Sequence, residues 1–349
     1  MPRIDFKDNS EGALLLEPSR TNIITYSEDF SNAYLTKSSA SVTSGFVSPD
    51  GTNNAFKLVE DTSTGIHQLT RSITNTVANQ YSISVFVKEN TRNWIRLSSG
   101  DGGYVFFNIS DNTIGIQTNA VGVIEDIGNG WKRCKITFTA AGTNGSATLR
   151  IAESDGVVSY VGQNKSVYVY AMQYEEGSYA TSYIPTSGSV VTRLADECNN
   201  AGNEQVINST EGVLYAEMSA LTSFQVSTIM ISLSNGGSSA IRFGYQQGTS
   251  LFFVESTGTA NNIGIYSEPI NSLIYSKIAL SYKENDVKLY INGFLVATDS
   301  VFTPFTSNVL NKLSFDNGVG VSDFYGNVKD VRVYNTALTD QELIALTTI

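Results

Sequence analysis

The stretch "VKLYINGFLVAT", Val287–Thr298, carries the clearest structural signal in this chain of 349 residues. Two alternating apolar runs flank Asn292-Gly293, a dipeptide favoured in two-residue type I′ turns because both central positions need positive φ. The stretch therefore predicts an antiparallel hairpin with one apolar face. That face holds Val287, Leu289, Ile291, Phe294 and Val296, in a register that pairs Ile291 with Phe294 and Leu289 with Val296.

Alternating runs recur along the chain. In "SVYVYAMQY", strict alternation puts Val167, Val169 and Ala171 on one face and Tyr168, Tyr170, Met172 and Tyr174 on the other. Both faces are apolar, which is typical of an inner strand. The chain also has 29 Gly against 6 Pro, a balance that favours strands joined by tight turns. These features predict an all-β fold of β-sandwich (jelly-roll) type.

The length predicts two domains, since one domain usually spans about 100–200 residues. The segment from Thr181 to Glu204 interrupts the strand pattern with Pro185, two glycines and three asparagines, and we interpret it as containing the connection. Four parts follow in tandem. They are an N-terminal strand and clasp at 1–22, a β-sandwich at 23–186, a linker at 187–204 and a second β-sandwich at 205–349.

Two terminal elements have specific signals. In "LLLEPSRTN", Leu14–Asn22, Pro18 ends a strand because it cannot donate a ladder hydrogen bond. The polar turn that follows, with the planar fork of Arg20, is interpreted as a clasp that packs where "SYIPTSGSVVTR" leaves the first sandwich. At the other end, "LTDQELIAL" predicts a short helix with Thr339 as N-cap and Glu342 closing a capping box.

The charge of the chain limits its partners. The net charge is −11, from 33 acidic and 22 basic residues, and no Lys/Arg cluster stands out, which argues against nucleic-acid binding. No apolar run reaches the length of about 18 residues that a membrane span needs, so no membrane insertion is expected.

Three sequence signatures in the first half resemble a known family. They are "LLLEPSRTNIITYSEDFSNAYLTK" (Leu14–Lys37), "GNGWKRCKITFTA" (Gly128–Ala140) and "MQYEEGSYATSYIPTSGSVVTRLAD" (Met172–Asp196). Together they resemble bacteriophage and prophage structural proteins, mostly tail or head fibre components. In that family the segment between the outer two signatures resembles a carbohydrate-binding-module jelly roll.

The second half resembles the concanavalin A-like, laminin-G-like sandwiches. The residues that carry this resemblance are Val287–Thr298 and "FYGNVKDVRVYNTALTDQEL", Phe324–Leu343. In that family the second motif is a last strand followed by a short closing helix. Lectins, hydrolases and adhesion modules all use this fold, so the resemblance implies architecture more than function.

The two resemblances together imply a role. They imply a non-catalytic virion fibre or adhesin segment, made in the host bacterial cytoplasm and assembled into the virion, that binds a bacterial surface glycan or receptor. They also imply contacts with other virion proteins and a homo-oligomer such as a trimer. A purely structural decoration or spacer is the main alternative, which the presence of only 2 Trp favours, and a polysaccharide depolymerase is the second.

The residues offer little for catalysis. His67 is the only histidine and has no nucleophile motif beside it. A glycoside hydrolase needs two carboxylates that face each other, whereas Glu217 stands alone in "LYAEMSAL". The pairs Glu28-Asp29 and Glu175-Glu176 are chain neighbours and point to opposite faces of a strand. We therefore expect no catalytic residues and no required cofactor.

Two groups are candidate binding residues. For a sugar, Trp94 is the better stacking platform, whereas Trp131 is expected to pack in the protein. Calcium is the open metal question, because "SFDNGVGVSDFYGN" offers hard oxygen ligands on turns, although Asp and Asn also occur in turns for backbone reasons alone. The glycan set is Trp94, Asn93, Arg96, Asp101 and Tyr104, and the calcium set is Asp316, Asn317 and Asp323.

Overall fold

The computed structural model describes residues 3–6, 10–222, 227–249 and 251–349. Within them the chain is all-β, with one short helix near the C-terminus, which confirms the predicted fold class. No helix in these ranges is long and apolar enough to cross a membrane. The chain forms two compact units, an inserted unit, Ser19–Leu194, and a C-terminal unit, which combines Met1–Pro18 with Ala195–Ile349.

The chain begins in the C-terminal unit and then enters the inserted unit. The first two strands are β1 (Arg3–Asp5) and β2 (Ala13–Leu16). The inserted unit contains β3 (Arg20–Asn22), β4 (Thr36–Ser38), β5 (Ala40–Phe46), β6 (Ala55–Glu60), β7 (Thr64–Ile66), β8 (Gln68–Thr74), β9 (Gln80–Glu89), β10 (Trp94–Ser98), β11 (Tyr104–Asn108), β12 (Thr113–Thr118), β13 (Val121–Gly128), β14 (Trp131–Thr139), β15 (Asn144–Ala152), β16 (Ser159–Val161), β17 (Ser166–Glu176) and β18 (Val191–Arg193).

Two six-stranded antiparallel sheets form the sandwich of the inserted unit. Their strand orders are β12-β11-β10-β15-β8-β4 and β13-β14-β9-β17-β6-β5. Side chains that alternate inward from both sheets make a single apolar core, because alternate residues of a strand point to opposite faces. Ile95 and Leu97 of β10 reach this core from one sheet, and Val85 and Val87 of β9 reach it from the other.

The C-terminal unit is a second sandwich. Its later elements are β19 (Gly212–Ala220), β20 (Ile229–Ser234), β21 (Ala240–Tyr245), β22 (Phe252–Thr257), β23 (Gly264–Tyr266), β24 (Ser276–Tyr282), β25 (Val287–Ile291), β26 (Phe294–Asp299), β27 (Lys312–Ser314), β28 (Gly326–Tyr334) and α1 (Asp340–Thr347). They form sheets of order β1-β2-β28-β19-β24-β25-β26 and β23-β22-β21-β20-β27, with one apolar core between them.

The N-terminal strand belongs to the C-terminal unit. Leu14 pairs with Val328 of β28, and Leu16 lies in the core of that unit with 1% of its surface exposed. An ion cluster continues this attachment, because Arg3 pairs with both Glu17 and Asp196. The "LLLEP" motif and Ala195-Asp196 therefore lie together in one unit, although about half of the chain separates them.

These units divide the chain differently from the predicted parts. The segment 1–22 is divided after Pro18, and only Ser19–Asn22 enters the inserted unit. The segment 187–204 is divided as well, because Val191–Arg193 forms β18 and Ala201 bridges to Leu313 in the C-terminal unit. Strand pairs between the two ends of a chain leave no local pattern in the sequence, so periodicity alone did not indicate this arrangement.

The clasp forms at the "SRTN" motif, but Arg20–Asn22 is a strand and not the predicted polar turn. Strand β3 pairs with β18, with Arg20 opposite Arg193 and Asn22 opposite Val191, so the two ends of the inserted unit run side by side. The Arg20 guanidinium lies 5.5 Å from the centre of the Tyr179 ring and donates to the Ser19 carbonyl. These contacts hold the point where the inserted unit begins and ends.

Two face assignments from strict alternation need correction, and a β-bulge is the reason in each case. In β17 the bulge between Tyr170 and Gln173, with Ala171 at φ 48°, turns Met172 and Tyr174 into the core beside Val169.

In the hairpin, the type I′ turn is confirmed, with φ 53° at Asn292 and 87° at Gly293. A bulge at Val296 of β26 then shifts the partner of Leu289 from the expected Val296 to Ala297, and Phe294 stays 74% exposed.

The closing helix is confirmed in detail. The Thr339 hydroxyl accepts from the Glu342 N–H, and the Glu342 carboxylate accepts from the Thr339 N–H at 2.8 Å, which completes the capping box. Leu343 is fully buried against Tyr215 and Tyr290 of the seven-stranded sheet. A helix of two turns is unstable alone, so this packing holds it.

Candidate functional site

The candidate site is the outer face of the sheet β12-β11-β10-β15-β8-β4 in the inserted unit, which we call the polar face. Its identity follows from the register, because Arg96 pairs with both Phe106 and Arg150, and alternate residues share a face. The members are Trp94, Arg96 and Ser98 of β10, Tyr104, Phe106 and Asn108 of β11, Thr148, Arg150 and Ala152 of β15, and Gln68 and Thr70 of β8.

Three of the five predicted glycan residues meet on this face. Trp94 and Arg96 alternate along β10, and Tyr104 follows on β11. The Arg96 guanidinium lies 3.8 Å from the centre of the Tyr104 ring and 5.7 Å from that of Phe106. Trp94, Arg96 and Tyr104 are each half-buried, so each keeps part of its surface for a ligand.

The structure does not bring the other two predicted residues onto the polar face. Asp101 lies in the β10–β11 loop, where its carboxylate accepts from the Ser99 hydroxyl and, at 3.1 Å, from the Ala141 N–H. Asn93 precedes β10, and its carbonyl accepts from the Ile109 N–H at 2.8 Å. Both residues hold loops in place, a role that nearness in sequence to Trp94 could not reveal.

Sequence reasoning missed the neighbours supplied by other strands. Arg150 lies directly opposite Arg96, and its Nε donates to the Gln68 side chain at 2.8 Å. The Thr148 hydroxyl lies 2.7 Å from that of Thr70, so hydroxyl groups continue the face toward β8. The one available signal was in "ATLRIA", where Arg150 alternates with the core residues Leu149 and Ile151.

A loop closes one end of the polar face. Asp155, which follows β15, accepts from the Ile116 N–H of β12 at 2.9 Å, although β10 and β11 lie between these strands. Gly115 permits this approach, since a Cβ there would stand 2.4 Å from the Asp155 carboxylate. The loop therefore passes over the end of the face that holds Trp94, where Ala152 is fully buried.

The outer face of the other six-stranded sheet, which we call the covered face, is occupied by the protein itself. The segment 177–186 lies against it, with Tyr183 packed on Phe86 and Tyr170. Thr181 anchors this segment, because its N–H donates to Glu175 at 2.7 Å and its carbonyl accepts from Arg133 at 2.6 Å. As expected, Trp131 packs in the protein: it is buried among these aromatic side chains, with 2% of its surface exposed.

The predicted calcium residues lie in the loop between β27 and β28 of the C-terminal unit. Burial raises the pKa of the Asp316 carboxyl, and the nearby Asp323 adds to this shift, against the hydrogen bond from the Gly318 N–H. The Asn317 side chain accepts from the Val319 N–H at 3.1 Å, as in an ordinary turn. Within the described ranges no three His, Cys, Asp or Glu side chains are placed to hold a metal ion. Calcium binding here stays a prediction.

The titratable residues considered for catalysis have structural partners. His67 is fully buried, and its Nδ1 lies 2.7 Å from the Ser39 carbonyl oxygen. Glu217 was expected to stand alone, but Asp330 of β28 lies opposite it. Each of these carboxylates has its own cation, with Lys329 3.8 Å from Glu217 and Arg332 2.6 Å from Asp330.

Comparison with known families identifies part of the C-terminal unit. Residues 216–344 match the family described as the concanavalin A-like lectin/glucanases superfamily. This range extends from β19 into α1 and covers less than half of the chain. The C-terminal unit thus contains a concanavalin A-like, laminin-G-like domain. No curated protein matches the sequence.

Matches among solved structures include a domain of an arabinanase and domains of two laminin chains. Domain 4 of AbnA, an extracellular arabinanase from Geobacillus stearothermophilus, in complex with arabinotriose, is 16% identical, with 49% of this chain and 81% of that chain covered and a TM-score of 0.35. The LG4-5 domains of the mouse laminin alpha1 chain are 10% identical, with 87% and 96% covered and a TM-score of 0.30. The LG1-3 region of the laminin alpha2 chain is 11% identical, with 80% and 66% covered and a TM-score of 0.30.

Proposed function

We propose that this chain is a non-catalytic glycan-binding protein and that the polar face of the inserted unit is its binding surface. The observation that carries this proposal is the contrast between the two outer faces of one sandwich. One is filled by the segment 177–186, while the other leaves Trp94, Arg96 and Tyr104 half-buried beside a row of hydroxyl groups. Aromatic rings beside fixed polar groups suit a sugar, which has apolar ring faces and polar edges.

The biological setting is the finer part of the proposal. The sequence signatures support a fibre or adhesin segment of a phage virion, made in the host bacterial cytoplasm, that binds a bacterial surface glycan and contacts other virion proteins. A homo-oligomer such as a trimer would present several weak sites together, and linked sites can raise avidity by about 10²–10⁴. Mass spectrometry of purified virions tests this setting, and particles that lack the chain would contradict it.

A glycan array on the purified chain tests the binding function. Trp94→Ala is expected to weaken binding about tenfold or more, since an aromatic anchor at an interface is worth more than about 1 kcal/mol. The matched control is Trp131→Phe, which changes the other tryptophan on the covered face and is expected to keep binding. Equal glycan binding by the Trp94→Ala protein and the parent would show that the polar face is not the binding site.

A structural spacer is the second candidate function. The sequence signatures by which the first half resembles phage structural proteins include residues that hold the fold, such as Asn22 and Glu175. A structural role for the signature residues favours a spacer. A chain that binds no glycan on the array but is present in virions would support the spacer. Incubation with capsular polysaccharide, followed by an assay for new reducing ends, tests the depolymerase alternative.

A further inference from the structure

The centre of the polar face holds two like charges on residues that lie directly opposite each other. Arg96 of β10 and Arg150 of β15 are paired residues of adjacent antiparallel strands and project from the same face. Like charges placed directly opposite each other on a sheet are destabilising. The arrangement therefore costs folding energy.

Both guanidinium groups are fixed, and both leave their terminal nitrogens available. Arg96 uses its Nε to donate to the Ser98 hydroxyl at 3.0 Å and rests on the Tyr104 ring. Arg150 uses its Nε to donate to Gln68. Within the described part of the chain, the Nη nitrogens of Arg96 and Arg150 donate no hydrogen bond. Two planar forks are thus oriented before any ligand arrives.

Neither guanidinium has a carboxylate partner within 4.0 Å among the described residues. The chain is not short of carboxylates, since it has 33 acidic against 22 basic residues. Other arginines take such partners. Those pairs are Arg3 with Glu17, Arg92 with Glu60, Arg242 with Glu255 and Arg332 with Asp330.

The pKa shifts of Arg96 and Arg150 are consistent with a site that would be stabilised by a bound anion. Burial lowers the pKa of Arg96, and the neighbouring charge of Arg150 adds to this shift. Burial likewise lowers the pKa of Arg150. Both residues keep their positive charge at neutral pH, because the pKa of an arginine starts above 12. A bound anion would relieve the repulsion that the fold leaves in place.

We propose, building on glycan binding by the polar face, that Arg96 and Arg150 hold the carboxylate of an acidic sugar, so that the ligand is a polyuronate or another carboxylated glycan. A guanidinium fork matches a planar carboxylate in two parallel hydrogen bonds. The Thr148 hydroxyl, on the same face of β15 as Arg150, and the Thr70 hydroxyl on β8 suit the sugar hydroxyls. Tyr104, on the β11 side of the arginine pair, supplies one apolar contact. Trp94, at the end of the face, supplies another.

Binding of two matched polysaccharides tests the carboxylate. Polygalacturonate and alginate are each compared with their carboxyl-reduced, neutral forms by calorimetry at low and high salt. The parent chain is expected to bind an acidic form and to lose about tenfold or more in affinity when the carboxyl groups are reduced, as expected for charge-assisted hydrogen bonds. Binding that weakens at high salt supports the ion pair.

Variants locate the site and separate it from folding. Arg96→Gln and Arg150→Gln are each expected to weaken binding about tenfold or more, while the melting temperature stays equal or rises because the like-charge contact is gone. The matched control Lys57→Gln removes one positive charge from the other sheet of the same unit and is expected to keep affinity. Unchanged affinity in both arginine variants would overturn the proposal.

The remaining outcomes separate this inference from the proposed function. In one outcome the parent binds the acidic and the carboxyl-reduced polysaccharide equally, and Trp94→Ala abolishes that binding. This result would overturn the carboxylate site and uphold glycan binding. Binding of dextran sulfate or of duplex DNA in place of the polyuronates would overturn the proposal that the ligand is a carboxylated glycan. A chain that binds no glycan of any kind would overturn both.

Discussion

The covered face and the polar face of the inserted unit are built from similar sheets but differ in what completes them. On the covered face, the chain itself returns with the segment 177–186 and satisfies Glu175 and Arg133. On the polar face, Arg96 and Arg150 project without a carboxylate among the described residues. The difference teaches that this β-sandwich covers one outer face with its own chain and leaves charged groups of the other without a carboxylate from the described residues.

The largest expected effect comes from breaking the attachment of the covered face. Asn22 is fully buried, and its amide donates to the Ile184 carbonyl at 2.8 Å and accepts from the N–H groups of Ile24 and Tyr174. Asn22→Ala would leave these buried groups unpaired, at about 1–3 kcal/mol each. We expect the free energy of unfolding to fall by about 3–5 kcal/mol, as measured by denaturant titration.

Thr21→Ala is the matched control for Asn22→Ala. Thr21 is the adjacent residue of β3, and its hydroxyl contacts that of Thr192 at the surface. Its loss is expected to cost less than about 1 kcal/mol. Equal losses in the two variants would show that Asn22 does not hold the segment 177–186.

The next effect extends the comparison to the C-terminal unit, where the helix α1 lies on an outer face. Leu343 is fully buried against Tyr215 and Tyr290, so Leu343→Ala is expected to cost about 2–4 kcal/mol. Ile344, which is 43% exposed on the same helix, provides the control. A Leu343→Ala protein with an unchanged unfolding midpoint would mean that the helix does not stabilise its unit.

Acid should weaken the interior of the inserted unit. Burial alone would raise the pKa of the Glu60 carboxyl, but the hydrogen bonds from Arg92, Tyr160 and the Gln163 N–H outweigh it and hold that pKa below its usual value. A carboxyl whose pKa is lower in the folded state adds stability above its unfolded pKa of 4.5 and loses it as the pH falls further. The stability advantage of the parent over Glu60→Gln should therefore shrink below pH 4.5.

Thermal melts of the parent and Glu60→Gln between neutral and acidic pH measure this advantage. Glu89→Gln, which changes an exposed glutamate on β9 of the same sheet, is the control and should show no such convergence. A constant difference between the parent and Glu60→Gln across the whole range would contradict the role of the ionised Glu60 carboxylate.

The smallest expected effect is on the polar face itself. Thr70→Val removes a half-buried hydroxyl that contacts only the Thr148 hydroxyl in the described hydrogen bonds. We expect stability to change by no more than about 0.5 kcal/mol, as is usual for surface substitutions. Glycan affinity, measured by calorimetry, should fall several-fold if this hydroxyl contacts the sugar. A large stability loss would mean that the polar face is as structural as the covered one.

Local chemistry in the sequence determined the fold class and several details. The Asn292-Gly293 turn and the Thr339 cap each follow from residues within a few positions of one another. Short-range steric preferences and hydrogen bonds decide these features, so they can be predicted without knowledge of the rest of the chain. The candidate residues Trp94, Arg96 and Tyr104 were grouped by their nearness in sequence, and they share a face because one strand and its hairpin neighbour carry them.

Only the tertiary structure decided which distant segments meet. The attachment of Leu16 to the C-terminal unit, the position of Arg150 opposite Arg96 and the loop role of Asp101 all depend on strand register or loop packing. The bulges in β17 and β26 also reversed or shifted faces that strict alternation had assigned. A register is fixed by the packing of a whole face, and a shift of one residue moves every side chain to the other side. The arginine pair was therefore invisible until the sheet was assembled.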